Sequence, residues 1–293
     1  MLTKLERIAE IAKERPDEKF TSLIHLIDKE MLIKCHYELK RNKAPGIDKI
    51  TKNEYEINLE ENIDNLLQRM KTFKYRPNPV KRVYIPKAGT DKKRPLGIPS
   101  YEDKIVQLAI TKILSAIYEQ DFLDCSFGFR PKRSCHDAIK ILDEYLSRRR
   151  INYVVDADIK GFFDHVDHRW LMKFLEHRIK DKNLLRYIAR LLNAGMMENG
   201  QFYKAYEGTP QGGIISPLLA NIYLHYVLDL WFEKVVRKRC RGQAYIVRYA
   251  DDFVCCFEYK NEAEAFYEAL KLRLAKFNLE IAEDKTKIIY FGS

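Results

Sequence analysis

Apolar residues recur at the spacing of amphipathic helices in three stretches of the chain. These stretches are residues 59–70, 138–146 and 263–277, where apolar side chains three or four positions apart share one face. A fourth helix is predicted from Ser216, a favourable N-cap residue with a proline after it, toward Arg237. The pattern therefore predicts several amphipathic helices and one long helix that is mostly buried.

Two other regions carry the pattern of β-strands. Between Pro77 and Pro99 the sequence favours a β-hairpin with prolines at its margins and a turn at residues 88–91. Residues 153–159 form a run of apolar β-branched side chains, and Gly161 ends it. We expect the first region to form a hairpin and the second to form a buried strand.

The second half of the chain predicts a particular order of elements. After the strand at 153–159 come a helix over about 168–179 and two short strands within 244–257, which turn at Asp251-Asp252. The helix at 262–277 and a last strand over 280–291 complete the series. Strand, helix, two strands, helix, strand is the split βαβ order of a ferredoxin-like sheet, with residues 172–206 as an insertion.

Composition excludes several classes of protein. The chain has 293 residues, of which 46% are hydrophobic and 32% are charged, so it is neither disordered nor collagen-like. It lacks the run of roughly 18 apolar residues that a membrane span needs, and its charged N-terminus has no apolar signal core. The six cysteines and seven histidines show no zinc-binding spacing. We expect a soluble protein of the reducing bacterial cytoplasm, without a membrane partner.

The charge of the chain points to a polyanionic partner. Its formal net charge is +10, and the excess of bases is concentrated between residues 71 and 104. The bases there are Lys71, Lys74, Arg76, Lys81, Arg82, Lys87, Lys92, Lys93, Arg94 and Lys104. Tyrosines lie between them, which favours nucleic acid over simple solubility as the reason for the charge.

Three carboxylates are the candidate chemistry. Asp251-Asp252 lies between apolar strand residues, and Asp158 ends another apolar strand, so a shared sheet would gather the three. Crowded carboxylates repel, and a pair of Mg²⁺ ions would offset their charge and hold the attacking and leaving oxygens of a phosphoryl displacement. Oxygen ligands without nearby Cys or His favour Mg²⁺ over zinc. The residues alone indicate a polymerase or a nuclease.

Six blocks of the sequence resemble group II intron reverse transcriptases and follow the order that this family has. Tyr249-Ala250-Asp251-Asp252 resembles their YxDD box, and the run from Asp158 to Phe163 resembles their first catalytic-aspartate block. The segment from Thr209 to Ile222 is similar to a block specific to this family. Further similar blocks are Arg94-Pro95-Leu96-Gly97-Ile98-Pro99, Ser126-Phe127-Gly128-Phe129-Arg130-Pro131 and, in the N-terminal extension, Ala44-Pro45-Gly46-Ile47-Asp48.

The resemblance implies a role for each candidate residue. It makes Asp158, Asp251 and Asp252 ligands of two Mg²⁺ ions, for which Mn²⁺ can substitute, with the backbone carbonyl of Ile159 as a further ligand. It makes Phe163 the aromatic beneath the sugar that excludes a 2′-hydroxyl and so selects dNTPs. It makes Lys87, Arg94 and Gln211 nucleotide-binding residues. It makes Lys285, with Lys287 as the alternative, the residue that protonates the leaving pyrophosphate.

The resemblance also implies an α+β fold, a right-hand polymerase with fingers and a ferredoxin-like palm and with the thumb absent. The expected divisions are an N-terminal helical extension at 1–50, fingers at 51–105 and 166–206, and palm at 106–165 and 207–293. Apolar surface left by an absent thumb could promote a homodimer.

The implied function is RNA-directed DNA polymerisation on an RNA template and primer. The implied partners are intron RNA and dNTPs, with a maturase role in splicing and a role in retrohoming. Two alternatives stay open: a non-catalytic RNA-binding maturase module, and a CRISPR-associated or other group II-like reverse transcriptase.

Overall fold

The computed structural model describes residues 3–86, 89, 91 and 93–291. They fall into two units, each with its own four-stranded sheet. The first unit comes from Met1–Gln120 and Leu175–Leu218, and the second from Asp121–Phe174 and Leu219–Ser293.

Groups of helices are separated by single strands or pairs of strands along the chain. The helices are α1 (Lys4–Glu14), α2 (Lys29–Glu38), α3 (Lys52–Ile57), α4 (Leu59–Lys71), α5 (Tyr101–Asp121), α6 (Cys135–Arg148), α7 (His168–Leu175), α8 (Lys182–Leu192), α9 (Ser216–Leu224), α10 (Arg237–Arg239) and α11 (Lys260–Lys276). The strands are β1 (Val80–Pro86), β2 (Lys93–Ile98), β3 (Tyr153–Ala157), β4 (Met196–Glu198), β5 (Gln201–Tyr203), β6 (Ala244–Tyr249), β7 (Asp252–Phe257) and β8 (Lys287–Tyr290).

The sheet of the first unit contains the predicted hairpin. Its strand order is β2-β1-β4-β5, with β1 antiparallel to β2 and parallel to β4. Val83 pairs with Leu96 and Ile85 pairs with Arg94, so the hairpin prediction is confirmed. Of the predicted turn at 88–91, only Gly89 and Asp91 lie within the described residues.

A buried carboxylate organises one end of the first unit. Asp181 precedes α8 and accepts hydrogen bonds from the backbone N–H groups of Asn183 and Leu184, as an N-cap does. The same carboxylate accepts from Leu23 N at 2.6 Å and Ile24 N at 2.8 Å. Asp181 therefore joins α8 to a segment that is far away in sequence.

The sheet of the second unit is antiparallel throughout. Its order is β6-β7-β3-β8, so β3, the first of these strands in the chain, lies between the last two. Its buried residues include Val155 and Ala157, and α11 packs against β3 and β7. The hairpin predicted within 244–257 is confirmed as β6 and β7, and helices predicted at 59–70, 138–146 and 263–277 are confirmed as α4, α6 and α11.

Two predicted boundaries in the chain are wrong. The helix predicted over 168–179 ends at Leu175, because Ile179 pairs in parallel with Phe20 and so leaves the helical path. The strand predicted over 280–291 begins only at Lys287, after turns that follow an isolated bridge at Ile281.

The long helix also differs from its prediction. It begins at Ser216, but the Ser216 hydroxyl is buried and has no hydrogen-bond partner in the described part of the chain. Gln107 Oε1 accepts from the N–H groups of Ile214 and Ile215, so a side chain of α5 holds the segment just before the helix. Two π-helical segments, His225–Asp229 and Phe232–Val236, interrupt the α-helical geometry on the way to Arg239.

None of the helices in the described ranges is long and apolar enough to cross a membrane.

Replacing Asp181 by alanine should destabilise the protein by about 2–4 kcal/mol, because buried N–H groups lose their acceptor. Burial raises the pKa of Asp181, and four backbone N–H donors outweigh burial and lower it below its ordinary value. This contribution is therefore present above the ordinary aspartate pKa and disappears as the pH falls through the lowered pKa. Urea unfolding across that range measures both effects. Asp143→Ala, at an exposed position on α6, is the control; equal loss in the two variants would contradict the assignment.

Candidate active site

The ends of three strand segments bring the predicted carboxylates to one place in the second unit. Asp158 directly follows β3, and Asp252 begins β7. Ala157 pairs with Phe253 in the antiparallel register, so Asp158 and Asp252 are neighbours at the same end of the sheet. Asp251 lies in the two-residue turn between Tyr249 and Asp252, which pair across the hairpin.

Lys285 is the cation beside these carboxylates. Its Nζ donates to Asp158 Oδ2 at 2.6 Å, and the side chain of Asp158 is 22% exposed. The hydrogen bond to Asp158 and the attraction of its charge raise the pKa of Lys285, and Asp252 adds to the effect. Lys287 lies on β8, where it pairs with Asp156 and is exposed. Of the two lysines, Lys285 is thus the one that contacts a candidate ligand.

Ile159, the residue after Asp158, forms an isolated bridge with a distant segment. Ile159 is 2% exposed and faces Ile281 in an isolated antiparallel bridge. Its neighbours make the hydrogen bonds of that bridge, Lys160 N to Glu280 O and Ala282 N to Asp158 O. Ile159 and Ile281 are therefore a non-hydrogen-bonded antiparallel pair, and the carbonyl of Ile159 points away from the Ile281 segment.

Phe162 and Phe163 divide between the core and the surface. They lie in a 3₁₀ turn, where Phe162 is 2% exposed and Phe163 is half-buried. Their rings meet edge to face with centroids 5.4 Å apart. Phe162 fills the core, which leaves Phe163 as the aromatic that presents its surface next to the Asp158 segment.

The donor set fits a hard cation in kind. Carboxylate oxygens and a backbone carbonyl are ligands of the kind that Mg²⁺ prefers. The described ranges contain no group of three or more His, Cys, Asp or Glu side chains already gathered at metal-binding distance. The site offers oxygen donors at one sheet end, with Lys285 as the counter-charge on one of them.

The predicted nucleotide-binding residues belong to the first unit. Arg94 is exposed on β2 and Gln211 is half-buried in a turn. Gly97 N donates to Gln211 O at 2.6 Å, so the turn rests directly on the strand that carries Arg94. Lys87 lies outside the described residues. The structure thus places the turn that carries Gln211 in contact with β2, the strand that carries Arg94.

Two glycines permit this contact. A Cβ on Gly97 would lie 2.9 Å from Pro210 Cβ, and one on Gly212 would lie 2.8 Å from Leu96 Cδ1 and 2.9 Å from Gly97 O. Gly212 also has φ of +102°, which side chains rarely adopt. The Gln-Gly-Gly turn is therefore packed against β2, and the flexible surface turn that its composition allows is not what forms.

The sequence pattern missed a buried polar group beside the candidate ligands. Arg248 lies on β6, two residues before Ala250 in the β6–β7 turn. It is fully buried and paired with the fully buried Asp229. Its guanidinium also donates to Ala250 O inside the turn at 2.7 Å. An ionisable residue in the middle of an apolar strand is the only signal of such a group in the sequence.

The chain matches known proteins over most of its length. Residues 85–290 match the family model described as "Reverse transcriptase (RNA-dependent DNA polymerase)". Group II intron-encoded protein LtrA of Lactococcus lactis subsp. cremoris is 36% identical over 98% of this chain, which spans 57% of LtrA. Protein YkfC of Escherichia coli is 37% identical over 84% of the chain and 72% of YkfC. Nuclear intron maturase 4 of Arabidopsis thaliana is 32% identical over 45% of the chain and 16% of that protein.

Gly212→Ala should destabilise the protein by roughly 2–3 kcal/mol, since the new Cβ meets both a strained φ and the β2 backbone. Gly200→Ala is the matched control: its φ is +79°, but no atom lies within 4 Å of its Cβ position. The control should cost only about 1 kcal/mol. Denaturant unfolding of both variants separates crowding from backbone strain, and equal losses would show that the contact with β2 contributes nothing.

Proposed function

Because the chain belongs to the reverse transcriptase (RNA-dependent DNA polymerase) family, we propose that it is an RNA-directed DNA polymerase of the group II intron-encoded kind. It would transfer nucleotidyl groups from dNTPs to a primer 3′-hydroxyl on an RNA template. The observation that carries the proposal is the register of β3 and β7, in which Asp158 and Asp252 are neighbours at one sheet end. The chain spans 57% of the length of LtrA, so the activity of a full-length protein of this kind is part of the proposal.

Two divalent ions, Mg²⁺ or Mn²⁺ in its place, are the proposed cofactors. Asp158, Asp251, Asp252 and the carbonyl of Ile159 would hold them. When bound, such ions supply charge stabilisation for the attacking and leaving oxygens of an in-line phosphoryl transfer. The kind of donor and its position at the sheet end support this assignment.

The chain's own side chains would bind the nucleotide and move a proton. Lys285, whose Nζ donates to Asp158 Oδ2 at 2.6 Å, lies beside the candidate ligands and would donate a proton to the leaving pyrophosphate. Arg94 would hold phosphate oxygens through its two-pronged guanidinium, and Lys87 would act as a point charge. Gln211, in a turn bonded to β2, would line the nucleotide-binding surface.

We propose that the sheet of the second unit is a ferredoxin-like polymerase palm and that the sheet of the first unit belongs to the fingers. The strand order β6-β7-β3-β8 supports the palm assignment, since it is the order that a split βαβ motif produces. The domain divisions given above at 1–50, 51–105, 106–165, 166–206 and 207–293 remain predictions.

A maturase role is the second candidate. Two of the matched relatives are named for introns, LtrA and Nuclear intron maturase 4, and the chain's formal net charge of +10 suits an RNA partner. We propose that intron RNA is both template and splicing partner. The bacterial relatives support a bacterial cytoplasm as the compartment.

Asp251→Asn should lower primer extension on an RNA template by on the order of 10³-fold, because one negative oxygen ligand becomes neutral. Tight binding of structured intron RNA should remain, as phosphate contacts do not involve this carboxylate. Extension assays with dNTPs and filter binding on the same preparation test both statements. Unchanged extension would remove Asp251 from the site, and equal loss of both activities would show that polymerisation and RNA binding are not separable.

Phe163→Val should admit ribonucleotides, because a smaller side chain leaves room for the 2′-hydroxyl. The expected result is a discrimination ratio between dNTP and rNTP that falls by on the order of 10-fold or more, with dNTP incorporation largely retained. Phe162→Leu is the control, since Phe162 is buried in the core and should affect stability alone. An unchanged ratio in Phe163→Val would contradict the assignment.

A further inference from the structure

Arg248 uses every N–H group of its side chain while it has no exposed surface. Nε and Nη2 donate to the two carboxylate oxygens of Asp229 at 2.7 and 2.6 Å. Nη1 donates to Asn221 Oδ1 at 2.9 Å and to Ala250 O at 2.7 Å, and Nη2 also donates to Ser126 Oγ at 2.8 Å. The guanidinium thus joins the segment at Ser126, the long helix that carries Asn221 and Asp229, and the turn at Ala250.

Burial alone would lower the pKa of Arg248, but the Asp229 carboxylate more than offsets it and the pKa lies above its ordinary value. The negative charge of Asp251 raises the pKa of Arg248 further. Asp229 is itself 0% exposed. Neither partner can lose the other without leaving an uncompensated charge in the interior.

The turn that Arg248 contacts is strained. Ala250 has φ of +60°, a left-handed conformation that non-glycine residues adopt only where their surroundings impose it. One constraint is the hydrogen bond from Arg248 to Ala250 O. A second is Gly128, where an added Cβ would lie 2.2 Å from Ala250 N, and Asn221 Nδ2 holds Gly128 through its carbonyl at 2.8 Å.

The backbone of Arg248 is held from the same side. Its N–H donates to Cys125 O at 2.8 Å, and its carbonyl accepts from Phe127 N at 2.9 Å. The segment 125–128 therefore runs beside the end of β6 and fixes the start of the turn. Side chain and backbone of one residue set the position of Asp251 and Asp252, the next two carboxylates in the chain.

We propose that Arg248, paired with Asp229, is a positioning residue that holds the Ala250-Asp251 turn so that its carboxylates are presented to divalent metal. The inference rests on the proposed function, because it concerns the same carboxylates. A buried ion pair of this kind is often no more stabilising than apolar residues of similar volume. Apolar residues could not supply the directed hydrogen bonds to Ala250 O and Asn221, and these bonds are what the proposal assigns to Arg248.

The test uses a double variant, Asp229→Asn with Arg248→Gln, which removes both charges and so leaves no unpaired ion. Two quantities are measured on the full chain: Mn²⁺ binding, from the electron paramagnetic resonance signal of free Mn²⁺, and steady-state primer extension. We expect a thermal unfolding midpoint close to that of the wild type. Half-saturation by Mn²⁺ should rise about tenfold and kcat should fall on the order of 10²-fold, with the KM for primer–template within about twofold.

The matched control is the pair Glu233 and Arg237, an exposed ion pair one helical turn apart in the same helical region. Glu233→Gln with Arg237→Gln removes the same number of charges. Both readouts should stay at wild-type values, because exposed pairs contribute little.

Each outcome decides between explanations. A folded Asp229→Asn/Arg248→Gln variant with wild-type Mn²⁺ binding and kcat overturns the proposal and leaves the pair as packing only. If that variant does not fold, Asn221→Ser decides, since it removes one bond to Arg248 and the bond to Gly128 O; unchanged Mn²⁺ binding there overturns the proposal as well. A wild-type chain whose Mn²⁺ binding equals that of Asp251→Asn would instead refute the proposed function itself.

Discussion

The buried ion pair of Arg248 and Asp229 is the interaction on which the carboxylate end of the second unit depends. A charged group without solvent is stable only when its donors all find acceptors, and those of Arg248 are supplied by an aspartate, an asparagine, a serine and a backbone carbonyl. These acceptors come from the segment at Ser126, from the long helix that carries Asn221 and Asp229, and from the Ala250 turn, so all three must be in place together. The left-handed conformation of Ala250 is maintained by this cooperation.

The same principle organises the first unit with different residues. Gln107 accepts from two N–H groups at the start of the long helix, and Asp181 accepts from four N–H groups in two segments. Buried backbone donors need acceptors, and a side chain from a distant segment can supply them only in the folded chain. Here too, the hydrogen bond that holds the Gln211 turn, from Gly97 N to Gln211 O, joins residues more than a hundred positions apart.

Local sequence was a good guide where the relevant physics is local. Apolar spacing predicted α4, α6 and α11, and the alternation on either side of Asp251-Asp252 predicted β6 and β7. Because the pairing of adjacent hairpin strands follows from their turn, Asp251 and Asp252 could be assigned to a strand end. The serine cap predicted at Ser216 was wrong, since its hydroxyl is buried without a hydrogen-bond partner in the described residues, and a local rule does not record that burial.

The sequence by itself determined the kind of chemistry: carboxylates at the ends of apolar strands, a basic hairpin, and motif blocks in a fixed order. Only the tertiary structure decided that Lys285 and not Lys287 contacts Asp158, and that Arg248 is buried with acceptors from three segments. The physical reason is that periodicity records which face of an element is apolar. It carries no record of which distant group will satisfy a buried charge, because that depends on how the strands and helices pack.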